Sequence, residues 1–394
     1  IWRNIGGTWT ILLCGKSDVV FHRSISCEII KAFKMNILID IGHPAHVHMF
    51  RCFAHEMIQR GHRVLFTCRD KEFELKLLTA EQLEYVSFGK KHTSVLGKIW
   101  DLIRFNWKEI KVARRFKPDL FVSHGSITAA HASFLLGKPH ITFEDTFNME
   151  QIRLYEPFSE IILTSDYEHP LHSKRVLKYQ GYNELLYLHP NRFTPNTAIL
   201  QELGVKENEP YVVMRFVSWN ATHDMGHAGI SFENKRRAVE SFSKFARVFI
   251  SSESPLPDEL QQYRLPTLPE KIHDVIAYAS LIFGESATMV AEGAMLGVPG
   301  VYIDNTGRFY TRDIAQKYDL CFNYSESESD QLLAIEKGVD LLKHSAINEY
   351  KSKNRAQLLA DKIDVTAFLM WVVLEYPKSI QQLRLNPDIQ QQFK

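Results

Sequence analysis

From Met35 onward the chain alternates short β-rich runs with longer helical stretches, and this alternation restricts the fold more than any other feature. The first run of strands reads NILIDI (36–41), RVLFTC (63–68), DLFVSH (119–124) and HITFED (140–145). Between the first two, Met49, Phe53, Met57 and Ile58 recur at helical spacing and stop at Gly61, a residue suited to a C-cap. Leu96, Ile99, Ile103, Trp107 and Ile110 mark a second, long amphipathic helix. Apolar strands separated by helices need crossover connections, which gives a parallel sheet covered on both faces.

The rhythm pauses at residues 189–196, where Pro190 and Pro195 flank a polar stretch, and this reads as a linker. It resumes with YVVMRFV (211–217), ARVFISS (246–252), SLIFGE (280–285), PGVYID (299–304) and LCFNY (320–324). Helices are expected between them at 271–279, 288–296 and 312–318. Two doubly wound α/β units in tandem follow: a first domain over 35–190 and a second over 196–346. Helices over 347–394 then have room to cross back to the first domain. No short-period repeat appears. Ligands in open parallel sheets sit beyond the carboxyl ends of strands, so two such sheets facing a cleft direct attention to strand-end residues.

A chain of 394 residues suits two domains. Its net charge of +1 argues against a nucleic-acid binder, which carries a basic excess. Cys14, Cys27, Cys52, Cys68 and Cys321 are odd in number and lack any CxxC spacing, a usage that fits a reducing cytoplasm. Residues 1–34 contain no Met and read as a non-native or disordered extension before Met35. Their apolar stretch, residues 8–14, is far shorter than the ~20 residues of a membrane span.

Three segments carry chemistry. In GESATMVAEGAMLGVPGVYID (284–304) a strand ends at Gly284, and Ser286, Ala287 and Thr288 turn the chain into a helix. Unpaired N–H groups and the positive dipole end at such a terminus suit a pyrophosphate. Glu292, one turn beyond Thr288, is placed to accept both hydroxyls of a ribose. An ordinary capped helix with a solvated glutamate gives the same pattern. GHPAHVHMF (42–50) follows the first strand, and His43, His46 and His48 raise the question of a metal. Paired histidines of that kind open single-barrel metallohydrolases, which two separate α/β units do not make. No D-x-D occurs, so a metal-bridged diphosphate is not indicated, and no cofactor is expected. In MRFVSWNATHD (214–224), Arg215 and Ser218 stand at a strand end where the planar guanidinium suits a phosphate. A structural ion pair is the alternative for Arg215.

The 284–304 segment resembles the donor-nucleotide motif of GT-B enzymes, notably non-hydrolysing UDP-N-acetylglucosamine 2-epimerases and the lipid-linked N-acetylglucosaminyltransferase of peptidoglycan synthesis. That resemblance implies phosphate binding by Ser286, Ala287 and Thr288 and ribose binding by Glu292, with Ala287 and Thr288 in place of the usual double glycine. GHPAHVHMF resembles the transferase's GGTGGH loop, with His46 on that motif's His. KPDLFVSHGSITAAH (117–131) and PHITFEDT (139–146) resemble the first domain of the 2-epimerases. Glu144 falls on a carboxylate that those enzymes use, while Ser126 stands where they have a catalytic Asp. Taken together, GHPAHVH, FEDT, RFVSWNATHD and GESATMVAE most resemble the domain of unknown function family 354, a GT-B-like group, over residues 35 to about 373.

The resemblance implies a GT-B fold of two Rossmann-like domains and a metal-independent glycosyltransferase using a UDP-sugar. Its setting would be bacterial surface polysaccharide or glycolipid assembly, with a sugar or lipid-linked acceptor. His46 or Glu144 would serve as the base, with Arg215, Ser218 and the Ser286 helix terminus on the diphosphate. A UDP-sugar epimerase and a non-catalytic nucleotide-sugar binder are the alternatives. The basic, Trp-bearing helix over 95–117 adds an expected peripheral contact at the inner face of a membrane.

Overall fold

The structure, a computed structural model, describes residues 2–5, 8–11, 34–70, 73–92, 94–217, 229–252 and 255–394. Strands β1 (Trp2–Ile5) and β2 (Thr8–Ile11) pair antiparallel as a two-stranded sheet of their own. The reading of residues 1–34 had given this segment no strand; residues 12–33 lie outside the described ones.

Seven parallel strands form the first large sheet: β3 (Asn36–Asp40), β4 (Arg63–Cys68), β5 (Tyr85–Ser87), β6 (Leu120–His124), β7 (His140–Glu144), β8 (Ile161–Ser165) and β9 (Val176–Tyr179), in the order β5-β4-β3-β6-β7-β8-β9. The second has five parallel strands: β10 (Tyr211–Phe216), β11 (Arg247–Ser252), β12 (Leu281–Gly284), β13 (Gly300–Ile303) and β14 (Cys321–Tyr324), ordered β11-β10-β12-β13-β14. Ile37 and Ile39 enter one core cluster and Leu38, between them, another, so successive residues of β3 are buried on opposite faces. Tyr211 and Val213 part from Val212 and Met214 in the same way. Burial on both faces is why these strands read as near-continuous apolar runs. The fold is a GT-B pair of Rossmann-like α/β units.

Strands β5, β8 and β9 were not read from the sequence. β8 is a fully buried IILTS run that an apolar-run criterion finds; β5 is a three-residue edge strand with little pattern to read. The helix Pro44–Gln59 ends where Gly61 takes φ +85°, as a left-handed terminal glycine does. The helix Val95–Phe116 exists as expected. Its inner face presents Asp101, Phe105, Glu109, Ala113 and Phe116, whereas Ile103 and Trp107 of the apolar stripe face outward. Two carboxylates won the inside because polar partners wait there, as described below.

The two sheets contain the same unit. Residues 123–147 and 283–307 align without insertion, matching Ser126 with Ser286, Thr128 with Thr288, Gly137 with Gly297, Pro139 with Pro299 and Thr146 with Thr306. Ser126 caps the helix Ile127–Leu135 and Ser286 caps Ala287–Met295, each accepting from the amide three residues on. Gly137 and Gly297 both sit in the left-handed region just beyond the helix.

One apolar core joins the halves, taking in Ile37, Leu186, Ile282 and Phe368. The buried turn Leu185–Leu188 lies at the junction, and Thr366 Oγ1 donates to its Leu186 carbonyl at 2.6 Å. The helix Val365–Leu374 packs on Pro44–Gln59, bringing the C-terminal segment against the first sheet's layer. Arg192 fixes this return by pairing with Asp364 at 2.7 Å and with Glu56.

Candidate functional site at the carboxyl ends of the two sheets

On the second sheet, Gly284 ends β12 at φ +141°, and a Cβ there would lie 2.1 Å from the Arg215 carbonyl oxygen. Only glycine allows β10 and β12 to approach so closely at their ends. Glu285 follows, buried, and its two oxygens accept from Val217 N (2.8 Å) and Ile230 N (2.6 Å), with Lys235 3.6 Å away. One carboxylate therefore fastens both flanks of residues 218–228; Ser218, expected on phosphate, lies outside the described residues. Ser286 accepts from Met289 N at 3.3 Å, leaving the amides of Ala287 and Thr288 at the open end of the helix. Arg215, half-buried on the adjoining strand, donates to Ser251 Oγ at 2.9 Å. Glu292 is buried rather than solvated. Its Oε1 accepts from Tyr187 OH (2.8 Å) and His273 Nε2 (2.9 Å).

On the first sheet, the three histidines of the 42–50 loop diverge. His43 caps the following helix through Ala45 N at 3.2 Å. His46 accepts from Gly42 N on Nδ1 at 3.3 Å, and its ring lies 4.6 Å from that of His124. His48 turns inward and meets His273 edge-on at 4.6 Å. Among the described residues no group of three or more His, Cys, Asp or Glu is arranged to hold a metal ion. With Nδ1 of His46 accepting from Gly42 N, Nε2 is the ring atom that an acid or base role of His46 would use.

Glu144 is placed differently from the expected base. Its Oε1 accepts from Thr146 N (2.7 Å), Thr146 Oγ1 (2.8 Å) and Phe147 N (2.8 Å), and Oε2 accepts from Tyr155 OH. Asp304, its counterpart in the second sheet, holds Thr306 N, Thr306 Oγ1 and Gly307 N at 2.8, 2.7 and 2.6 Å. Both carboxylates build the same turn, which explains why an acid ends each strand. The next residue, Asp145, is the one offered to the cleft. Its Oδ1 meets His124 Nε2 at 3.0 Å, and Oδ2 accepts from Asn183 Nδ2 at 2.6 Å.

Ser126 belongs to a buried network around Asp40, the last residue of β3. The Asp40 carboxylate accepts from Thr67 (2.8 Å), Thr128 (3.1 Å), Ser126 and Arg69, and Arg69 also reaches the Ile41 carbonyl (3.1 Å) and Thr128. Glu109 joins through Thr67 at 3.1 Å. Burial first, then the Asp40 charge, lifts Glu109 well above the usual carboxylate range. This network holds Glu109 of the long helix inside through Thr67, while Asp101 is turned inward onto His92 and Arg104.

A model for proteins of unknown function, DUF354, matches residues 35–307, most of the chain. The chain belongs to the DUF354 family. No curated protein matches it. Among solved structures it is similar to the UDP-GlcNAc 2-epimerase from Neisseria meningitidis bound to UDP-GlcNAc, at 14% identity and a TM-score of 0.63 over 86% of this chain and 100% of that one. It is similar to the S. aureus MnaA–UDP co-structure at 13% identity and a TM-score of 0.64, covering 88% and 98%. It also resembles the glycosyltransferase VinC in complex with dTDP, at 12% identity and 0.57, covering 86% and 100%.

In this DUF354 chain the strand-end groups influence one another across the cleft. Burial lowers the proton affinity of His124, but the Asp145 charge and hydrogen bond outweigh it and raise its pKa to about 9. Burial would raise Asp145, yet His124, Asn183 and Arg308 hold it below the ordinary range. Burial and then the Asp145 charge push Glu184 up to about 8, with Glu292 adding to the effect. Arg308 comes from the second sheet's side, where its Nη1 donates to Thr306 Oγ1 at 3.1 Å, and Phe309 beside it packs edge-on against Phe147 at 5.3 Å. The first sheet's strand end therefore holds the His124–Asp145 pair, and buried Glu184, under the influence of the Asp145 charge, has its proton affinity raised above that of an ordinary carboxyl. Two carboxyls with separated proton affinities are the usual equipment for acid and base work. Glu285, Asp145, His124, Glu184 and Arg308 were all missed in the sequence. Asp145 had the clearest signal, as an acid directly after a strand-end acid that its own turn consumes.

Proposed function

We propose that this protein is a glycosyltransferase that takes a UDP-sugar as donor, holding the nucleotide on the second sheet and the acceptor on the first. The observation that carries this is the difference between the two equivalent helix starts. At Ser126 the adjoining strand ends in Asp40, which occupies the hydroxyl and is itself paired with Arg69, so that helix start is already filled by an ion pair. At Ser286 the adjoining strand carries Arg215, paired in register with Gly284 two residues before the cap, so an open helix terminus has a cation on the next strand, its guanidinium bonded to Ser251 Oγ. The structural neighbours support the same class, since their structures hold UDP-GlcNAc, UDP and dTDP.

In the reaction, an acceptor hydroxyl oxygen attacks the anomeric carbon and the bond from that carbon to the diphosphate oxygen breaks. The hydroxyl proton passes to Asp145, the ionised carboxylate in the cleft, and the bond's electron pair leaves with UDP. Charge on the departing diphosphate is met by the amides of Ala287 and Thr288 and by Arg215, with the His124 imidazolium balancing the base.

A second reading is epimerisation of a UDP-sugar, favoured by the Asp145–Glu184 pair, which offers one base and one acid. Ser126 in place of an acidic residue weighs against it. The deciding experiment incubates wild type and Asp145→Asn with UDP-sugars in heavy water, with and without candidate acceptors. Acceptor-dependent UDP release without label in the sugar, reduced ~10²–10⁴-fold by Asp145→Asn, is the expected result. Deuterium at C2 in the absence of acceptor would establish epimerisation instead.

A further inference from the structure

The helix Val95–Phe116 carries its largest apolar side chains outward. Trp100, Ile103 and Trp107 are 59%, 58% and 61% exposed, and their spacing of three and four places them in one stripe. The stripe continues with exposed Lys111 and Arg114, and Lys111 lies over the Trp107 ring at 5.0 Å. Phe134 and Leu135, 61% and 65% exposed, end the neighbouring helix Ile127–Leu135, and Leu154 lies exposed on Met149–Tyr155. His131 ties the three helices together, its ring bonding Asn106 Oδ1 at 3.1 Å and the Leu154 carbonyl at 3.0 Å. Exposed large apolar side chains therefore stand on three neighbouring helices, and clusters of such groups mark interaction sites.

The charges around it are one-sided. Lys111, Arg114, Arg115 and Lys117 are exposed, while both acids of this helix are buried: Asp101 against His92 and Arg104, Glu109 against Thr67. Glu150, exposed on the third helix, and Glu156, half-buried just after it, are the acids near the apolar edge in sequence. Among the described residues no helix is long and apolar enough to cross a membrane.

We infer that this face docks on an anionic lipid surface. Trp100, Ile103, Trp107 and Phe134 enter the headgroup boundary, and Lys111, Arg114 and Arg115 pair with lipid phosphates. The occupant is lipid because the apolar groups form a ridge with indoles at its crest and cations at its end, the distribution of interfacial helices. The inference does not depend on the donor site.

The test is co-sedimentation of the full chain with phosphatidylcholine vesicles and with vesicles containing phosphatidylglycerol, at salt on the order of 0.1 M and 0.5 M. Binding to the anionic vesicles alone, lost at the higher salt, is expected. Trp100→Ser with Trp107→Ser should lower the partition at least ~tenfold, as should Lys111→Glu with Arg114→Glu. All four residues are exposed, so circular dichroism should be unchanged. No vesicle binding, or equal and salt-insensitive binding to both vesicle types, would overturn the inference. So would a wild-type dimer in ultracentrifugation that the double Trp variant loses, since the face would then belong to a second copy.

Discussion

Replacing Glu292 with Gln separates its two tasks. The Oε1 atom accepts from Tyr187 OH at 2.8 Å and from His273 Nε2 at 2.9 Å, and all three groups are buried. A glutamine keeps a carbonyl oxygen for both donors but loses the charge. Each bond then falls from the charge-assisted range of about 1.5–3 kcal/mol toward the neutral range of about 0.5–1.5. Stability should drop by roughly 1–3 kcal/mol, so the melting temperature will not stay where the wild type's is. The ribose contact proposed for Glu292 would rest on Oε2, where the amide presents hydrogens to hydroxyls that themselves need an acceptor. Losing that contact costs about 1.5–3 kcal/mol, a ten- to hundredfold weaker UDP affinity by calorimetry. Glu292→Ala should destabilise more, because it strands the Tyr187 hydroxyl and the His273 ring. Glu292→Gln with lowered stability and UDP affinity within twofold of wild type would refute the ribose assignment and leave Glu292 a junction residue alone.

The His124–Asp145 pair should leave a pH signature: a folded pKa of about 9 against 6.5 means its contribution is complete below pH 6.5 and fades as pH rises through about 9. Chemical denaturation across that range should lose up to about 3 kcal/mol from this pair, and NMR should show His124 titrating far lower in Asp145→Asn. Glu144→Gln should destabilise the turn that Thr146 and Phe147 make while leaving UDP affinity within about twofold; a purely catalytic defect with unchanged stability would restore Glu144 as the base. Gly284→Ala should cost about 3 kcal/mol from the clash with the Arg215 carbonyl and the left-handed backbone, measured by urea titration, and an unchanged midpoint would contradict the close approach.

The strand pattern was legible because strands buried on both faces have nothing polar to interrupt them; nine of the strands in the two large sheets stood out as apolar runs. Orientation was harder to read. The stripe from Leu96 to Ile110 has helical period, and period alone does not say which side is inside. The decision fell to Asp40 and Arg69, far away in sequence, whose buried network accommodates Glu109. Glu144 and Asp145 show the same limit at shorter range. Either acid suits a strand end, and only the turn, with Thr146 and Phe147 folding back on Glu144, leaves Asp145 for the cleft. The Ser286 helix start needed no distant information, because its cap and its small residues are local.

The paired turns and capped helices explain how one unit can serve two different halves. Ser126 and Ser286, Gly137 and Gly297, Thr146 and Thr306 preserve the parts that make the unit fold: cap, stop and turn. What distinguishes the halves lies just outside those parts. The adjoining strand brings Asp40 to one helix start and Arg215 to the other, and the residue after the turn-making acid is Asp145 in one half and Asn305 in the other. Each change replaces a side chain without altering the backbone hydrogen bonds that define the unit. The Asp40–Arg69 ion pair fills the first helix start and leaves no net charge there for an anion, whereas an arginine on the strand beside the second adds to the dipole. Reversing that charge, with Arg215→Asp, should therefore abolish UDP binding in calorimetry while the second sheet's circular dichroism persists. Retained binding would show that the phosphate is held elsewhere.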